Sequence, residues 1–182
     1  MTQGIVKGRR SMAMLRLAAG ARSYRRRART AGIHLPALAR RPHPDVLMIA
    51  CTDPRLHPSF IIDSLPGEIF DLRTPGGFVP DPEDPADAGA ARLLGEALHT
   101  PTIKDVVVLG HSHCPEIAAT GSDGQEAGHD HVARQLAVIG AHPDVAAAAA
   151  GPRRLRLHGW YHDLESGETT CYRPGTGTFF PV

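Results

Sequence analysis

Two short apolar segments set the strongest limit on how this 182-residue chain can fold: DVLMIAC at residues 45–51 and IKDVVVLG at residues 103–110. Runs of this length and continuity are typical of strands that are buried on both faces. Such strands belong to parallel sheets whose two faces are covered by helices. The chain is therefore expected to adopt an α/β fold.

The rest of the sequence supplies the other elements of that fold. Composition and apolar spacing predict helices over residues 11–31, 85–100 and 129–142, and a further strand over residues 68–74. Residues 154–172 are expected to form a strand that runs into a hairpin with ESGE at its turn. We predict a four- to five-stranded, mainly parallel sheet flanked by helices, with an N-terminal helical arm.

Charge divides the chain into two parts. Residues 1–44 contain eleven Lys and Arg residues and no acidic residue, whereas residues 45–182 contain nine basic and nineteen acidic residues. We predict a basic N-terminal helical arm over residues 1–44 and a single α/β domain over residues 45–182. A basic arm can bind nucleic acid. Docking on an acidic body, its own or that of a partner subunit, is favoured because Tyr24 is the arm's only aromatic residue.

The cysteine count and the hydropathy pattern bear on the compartment. Cys51, Cys114 and Cys171 are odd in number and widely spaced, which does not indicate a disulfide framework. No segment reaches the roughly 18 consecutive apolar residues of a transmembrane helix. The apolar stretch at residues 12–21 is interrupted by Arg16 and makes a poor signal peptide. The sequence predicts a cytoplasmic protein with free thiols and no membrane partner.

Three residues with metal-binding side chains lie where the two apolar strands end. Cys51 is the last residue of the first apolar run, and His111 and Cys114 directly follow the second. Ligands of open α/β sheets bind at the carboxyl ends of the strands, so the three side chains are expected to converge there. Two thiolates and one imidazole with one position left open form a ligand set typical of catalytic Zn²⁺. We predict a zinc site.

A carboxylate and an arginine follow the first of these residues. Asp53 can accept a hydrogen bond from a zinc-bound water or take the open position itself. Arg55 can pair with it bidentately and hold it away from the metal. A competing interpretation makes Ser112 a nucleophile, but a nucleophile elbow requires G-x-S-x-G, and the last glycine is replaced by Cys114.

CTDPR, followed sixty residues later by HSHC, resembles the C-x-D-x-R and H-x-x-C motifs of β-class carbonic anhydrases. The similarity extends over roughly residues 44–168. This resemblance implies Zn²⁺ on Cys51, His111 and Cys114, with Asp53 and Arg55 as the catalytic dyad. It implies reversible hydration of CO2 to bicarbonate and a proton by a zinc-bound hydroxide. It also implies a homodimer or higher homo-oligomer in which the N-terminal helix packs across the partner.

Three prolines depart from the family pattern. Pro54 stands between Asp53 and Arg55 where the family usually has serine, Pro115 replaces the usual glycine, and Pro42 replaces a common glutamine. Metal binding is expected to survive these changes. They leave open a related zinc lyase or hydrolase acting on a CO2-like molecule such as carbonyl sulfide or carbon disulfide. A non-catalytic zinc protein with a basic nucleic-acid-binding arm is the remaining alternative, although a nucleic-acid partner is disfavoured.

Overall fold

A computed structural model describes residues 11–40, 42–122 and 124–182. The chain divides into two compact units, residues 1–41 and 42–182. Every strand in the described part of the chain belongs to the second unit.

The first unit contains the helices α1 (Met12–Thr30) and α2 (Leu35–Arg40). Ser11 caps α1, because its hydroxyl oxygen accepts a hydrogen bond from the Met14 amide at 3.2 Å. Only Ala28 of α1 is buried, so this helix exposes nearly its whole surface. No helix among the described residues is both long and apolar enough to cross a membrane. The helix predicted over residues 11–31 is confirmed, whereas its docking on a partner and the cytoplasmic location stay predictions.

The second unit alternates strands and helices along the chain. Its helices are α3 (Pro58–Ile61), α4 (Ala88–Leu98), α5 (Pro115–Ala118), α6 (Gly124–Gly140) and α7 (Pro143–Ala150). Its strands are β1 (Val46–Cys51), β2 (Ile69–Thr74), β3 (Asp105–His111), β4 (Arg156–His162), β5 (Thr169–Arg173) and β6 (Thr178–Pro181). The predicted α/β fold is confirmed. The helix predicted over residues 129–142 is α6, which begins earlier, at Gly124. The sequence did not indicate this start because the exposed first turn carries no apolar periodicity.

One six-stranded sheet has the order β2-β1-β3-β4-β5-β6. The first four strands in this order are parallel, and β5 and β6 are added antiparallel. The sheet is mainly parallel as predicted, but it has one strand more than the four to five expected. The additional strand is β6, which has only four residues and forms through its pairing with β5. A segment this short carries too little alternation to be recognised from sequence.

The central strands are apolar on both sides because the sheet is covered on both sides. On β1, Leu47 and Ile49 face one core, and Met48 and Ala50 face the other. The first core is closed by side chains from the long helices, including Leu94, Leu98, Leu136, Ile139 and Val145. The second is smaller and includes Leu56, Val107, Leu109 and Ile117. This arrangement explains the continuous apolar runs and leaves polar residues at the strand ends.

Candidate metal centre

Two neighbouring parallel strands place the predicted ligands at one edge of the sheet. Cys51 ends β1 and His111 ends β3, and the pairing of Ala50 with Leu109 brings those ends together. Cys114 precedes the first residue of α5 and returns toward the same point. The two sulfurs and one ring nitrogen of His111 lie within 4.8 Å of one another, and all three residues are buried. The predicted convergence is confirmed.

The spacing of the two sulfurs fits a tetrahedral metal ion. Cys51 Sγ and Cys114 Sγ are 3.8 Å apart, and both cysteines are free. Two thiolates bound to zinc at about 2.3 Å, with a tetrahedral angle between them, stand roughly 3.8 Å apart. The donor set of two sulfurs and one nitrogen also suits zinc better than a hard cation, which prefers oxygen ligands.

The His111 ring is held with one nitrogen free to bind a metal. Its Nδ1 atom lies 2.9 Å from the Ser112 carbonyl oxygen. A carbonyl can only accept, so Nδ1 carries the proton and Nε2 keeps its lone pair. Nε2 is buried and has no hydrogen-bond partner. Because a buried unpaired nitrogen costs free energy, this atom has the character of a ligand rather than of a core histidine.

The two thiols share one proton. The hydrogen bond between the two sulfurs lowers the pKa of Cys51 to about 4. The same contact, followed by burial, raises the pKa of Cys114. The Asp53 amide also donates to the Cys51 sulfur at 3.3 Å. A divalent cation between the sulfurs would displace the proton that they share, because metal binding requires deprotonated thiols.

Pro115 does not remove support from the second thiolate. It is the first residue of α5, where the missing N–H costs little. Cys114 occupies the cap position, and its side chain makes no cap hydrogen bond that Pro115 could interrupt. The departure from the family glycine is therefore compatible with a thiolate at this helix start.

Asp53 is held beside the cysteines by an arginine fork. Arg55 Nε donates to Asp53 Oδ1 at 3.0 Å, and Arg55 Nη2 donates to Oδ2 at 2.7 Å. The Arg55 amide also donates to Oδ1, at 2.9 Å. Hydrogen bonds from the Arg55 side chain lower the pKa of Asp53 to about 2. The expected bidentate pair is present, and it fixes an ionised carboxylate that is 4% exposed next to Cys51.

Arg55 is itself anchored to the segment that carries the other ligands. Its Nη2 atom donates to the His113 carbonyl oxygen at 2.7 Å. His113 has φ +56°, a left-handed conformation that is uncommon outside glycine. This backbone geometry turns the carbonyl toward Arg55 and links the C-x-D-x-R segment to the H-x-x-C segment.

Sequence reasoning missed Arg73, which ties down the loop after β1. From the end of β2, its Nε donates to the Cys51 carbonyl oxygen at 2.7 Å. Its Nη2 donates to the carbonyl oxygens of Asp53 and Leu56 at 3.1 and 2.8 Å. The position of an arginine at the end of the strand beside β1 was the available signal, because adjacent parallel strands end together.

The turn after β2 also packs against the first ligand. Gly77 has φ +70°, and a Cβ at this position would lie 3.2 Å from the Cys51 amide nitrogen, so glycine permits the close approach. Two buried residues of α6 hold the turn: His131 Nε2 donates to the Gly76 carbonyl oxygen at 3.0 Å, and Gln135 Oε1 accepts from the Val79 amide at 2.8 Å.

Comparison with known proteins places this geometry in a family. The family model described as carbonic anhydrase matches residues 46–140, which include all five predicted site residues. The chain belongs to the carbonic anhydrase family. A carbonic anhydrase of Pseudomonas aeruginosa is 32% identical over an aligned length of 165, and the match covers 72% of this chain and 74% of that relative. The prediction of a carbonic anhydrase, and with it of a lyase, is confirmed at the level of the family.

Solved structures of β-carbonic anhydrases share the fold of this chain. The β-carbonic anhydrase CcaA superposes with a TM-score of 0.81 at 23% identity, covering 94% of this chain and 93% of that one. One of two tetrameric β-carbonic anhydrases of the ascomycete Sordaria macrospora gives a TM-score of 0.75 at 21% identity, covering 86% and 94%. The resemblance to β-class carbonic anhydrases is confirmed.

Proposed function

We propose that this chain catalyses the reversible hydration of CO2 to bicarbonate and a proton, using Zn²⁺ held by Cys51, His111 and Cys114. One observation carries the proposal: a buried, unpartnered His111 Nε2 faces two sulfurs 3.8 Å apart in a member of this family. The carboxylate of Asp53, fixed by Arg55, lies next to this cluster. A non-catalytic zinc site would have no evident need for that ionised pair.

A zinc ion in this cluster would act as a Lewis acid and make a nucleophile available from water near neutral pH. Asp53 stays ionised at neutral pH because Arg55 lowers its pKa to about 2. Its oxygens can therefore only accept hydrogen bonds. We assign to Asp53 the role of accepting the hydrogen bond of the nucleophile and orienting its lone pair toward the CO2 carbon. Arg55 fixes the orientation of that carboxylate.

We further propose that a second copy of the chain completes the substrate pocket. One chain encloses a cavity of only about 10 Å³ beside His111 and Cys114, which is no larger than a single water needs. The relative from Sordaria macrospora is tetrameric. Several large apolar side chains of α1 are exposed, including Met12, Met14 and Leu17. Light scattering coupled to gel filtration is expected to give a dimer or a larger homo-oligomer.

The test measures zinc and activity in the same preparation. Native mass spectrometry of protein purified without added metal is expected to find one zinc ion per chain. Stopped-flow measurement with a pH indicator is expected to show CO2 hydration that chelation abolishes and added zinc restores. Zinc-replete protein with no CO2 hydration above buffer would contradict the proposal. Sulfide release from carbonyl sulfide by such a preparation would favour the heterocumulene alternative.

A further inference from the structure

Ser112 lies between the proposed ligands and is tied to a distant hairpin. It is 7% exposed, and its amide donates to the His162 carbonyl oxygen at 3.0 Å, which continues the pairing of β3 with β4. Its hydroxyl oxygen accepts a hydrogen bond from the Leu164 amide at 2.8 Å. Its carbonyl oxygen accepts the Nδ1 proton of His111 at 2.9 Å. One buried residue thus connects the ring of His111 to the connection between β4 and β5.

These bonds determine which nitrogen of His111 is available. The proton stays on Nδ1 only as long as the Ser112 carbonyl points at it. The next residue, His113, is in the left-handed conformation, so the peptide that carries this carbonyl borders a strained position. Anchors at the amide and the hydroxyl of Ser112 hold that peptide in place against this strain.

The hairpin is built to present the Leu164 amide. Asp163 Oδ1 accepts from the amides of Glu165 and Ser166, both at 2.8 Å. The Asp163 amide donates to the Glu168 carbonyl oxygen at 2.9 Å, which closes the turn. A second, exposed link joins Glu165 to His113 Nε2 at 3.1 Å. Hydrogen bonds within the turn therefore fix its conformation independently of its contact with Ser112.

We propose that Ser112 is a positioning residue for His111, and that the 163–168 turn anchors it through the Leu164 amide. The turn thereby serves as an outer support of the metal centre, although it lies more than fifty residues away in sequence. The assignment of His111 as a zinc ligand rests on the proposed function. The control of its tautomer by Ser112 does not, because the hydrogen bonds exist in the chain itself.

Outer-shell partners of metal-bound histidines typically change metal affinity by about 10- to 100-fold when they are removed. Ser112→Ala removes the hydroxyl acceptor and leaves the Leu164 amide without its partner. Ser166→Ala is the matched control, since it makes the same chemical change within the 163–168 turn and leaves the hydroxyl of Ser112 in place. Ser166 is exposed and its hydroxyl bonds only within the turn, to Asp163 and the Glu168 amide. Ser112→Thr keeps the acceptor and serves as the conservative rescue.

Two measurements test the proposal. Nitrogen-15 NMR of metal-free protein reports which nitrogen of His111 carries the proton. We expect the Nδ1–H form in the wild type, Ser166→Ala and Ser112→Thr, and a mixture with the Nε2–H form in Ser112→Ala. Competition with a chelator then gives the zinc dissociation constant, which is expected to rise about 10-fold in Ser112→Ala and less than twofold in Ser166→Ala.

Equal tautomer populations in the wild type and Ser112→Ala would overturn the proposal whatever the zinc result. Tight zinc binding by the wild type with unchanged affinity in Ser112→Ala would overturn it as well. A wild type that binds no zinc but shows the tautomer change would contradict the proposed function and support this inference. Thermal unfolding of each variant identifies loss of the fold, and Ser112→Thr provides the comparison if Ser112→Ala is unstable.

Discussion

Each end of β3 carries a polar cluster, and the two clusters differ in whether their buried polar atoms have hydrogen-bond partners. At its start, Asp105 accepts from Arg156 Nε and Nη2 at 2.7 and 2.6 Å, and from His158 Nε2 at 2.8 Å. At its end, the Nε2 atom of His111 is buried with no partner. Both regions include an aspartate gripped by an arginine fork, Asp105 with Arg156 and Asp53 with Arg55.

The difference separates a cluster that stabilises the fold from one that can perform chemistry. Around Asp105, the carboxylate is paired inside the chain with both Arg156 and His158. Around His111, one ring nitrogen and two sulfurs converge, and the Nε2 atom has no hydrogen-bond partner. A polar atom that is buried without a hydrogen-bond partner costs free energy of folding. Such atoms are retained where a bound group, such as a metal ion, supplies the missing interaction. The contrast can be tested with substitutions inside the metal cluster and matched substitutions outside it.

The largest effect is expected from Cys51→Ala, with Cys171→Ala as its match. Cys51→Ala removes one of three proposed ligands, so zinc should be lost and the rate of CO2 hydration should fall at least about 1000-fold. Cys171 lies on β5, away from the cluster. The same change there should leave zinc content and rate within twofold, as metal analysis and stopped-flow assays will report. Equal losses in both variants would remove the distinction between the two cysteines.

Removal of each arginine fork in turn should give the next largest difference in kcat/KM. Arg55→Ala frees the Asp53 carboxylate, and kcat/KM is expected to fall by about 100-fold because the orienting acceptor is no longer fixed. Arg156→Ala breaks an equivalent fork at the opposite end of β3 and should leave kcat/KM within twofold. A similar loss of kcat/KM in both variants would mean that the forks differ only in location. Zinc content is measured in each to separate loss of metal from loss of orientation.

The smallest effect concerns the acid stability supplied by Asp105. Hydrogen bonds from Arg156 lower the pKa of Asp105 below its ordinary value. A lowered pKa stabilises the fold above the ordinary aspartate pKa of about 3.9, and this contribution is lost as pH falls through the folded-state value. Asp105→Asn should therefore reduce the free energy of unfolding by about 1 kcal/mol at neutral pH.

Urea titrations of the wild type and Asp105→Asn at several pH values measure that difference. The two unfolding free energies should converge as the pH drops below about 3.9. Rates of CO2 hydration at neutral pH should match. A gap that persists undiminished into acid would show that the aspartate charge is not its source.

The sequence was sufficient to predict where the site lies, but not which residues anchor the site. Strand ends could be located because β1 and β3 are short, apolar and buried on both faces, and parallel neighbours must end at one edge. The five residues of the site followed from these strand ends and from side-chain chemistry, and the resemblance added their catalytic roles. The anchors of these residues depend on how segments more than twenty residues apart pack together. Arg73 meets Cys51 across 22 residues, and Ser112 meets Leu164 across 52.

The missed elements share the same physical cause. In α6, His131 and Gln135 are polar residues that local patterning assigns to the surface, yet both are buried because the 75–79 segment supplies their partners. The strand β6 exists because β5 offers it an edge. Propensity and periodicity describe a segment by itself, whereas these features arise from tertiary pairing.

The strand β6 has a consequence for how the molecule behaves in a crowded solution. It is the outermost strand on its side of the sheet, and it is four residues long with Pro181 near its end. A short border strand that contains a proline presents few amides to a neighbouring molecule. Loss of this strand would expose the unpaired amides and carbonyls of the longer strand β5, to which a second molecule could add a strand and begin self-association.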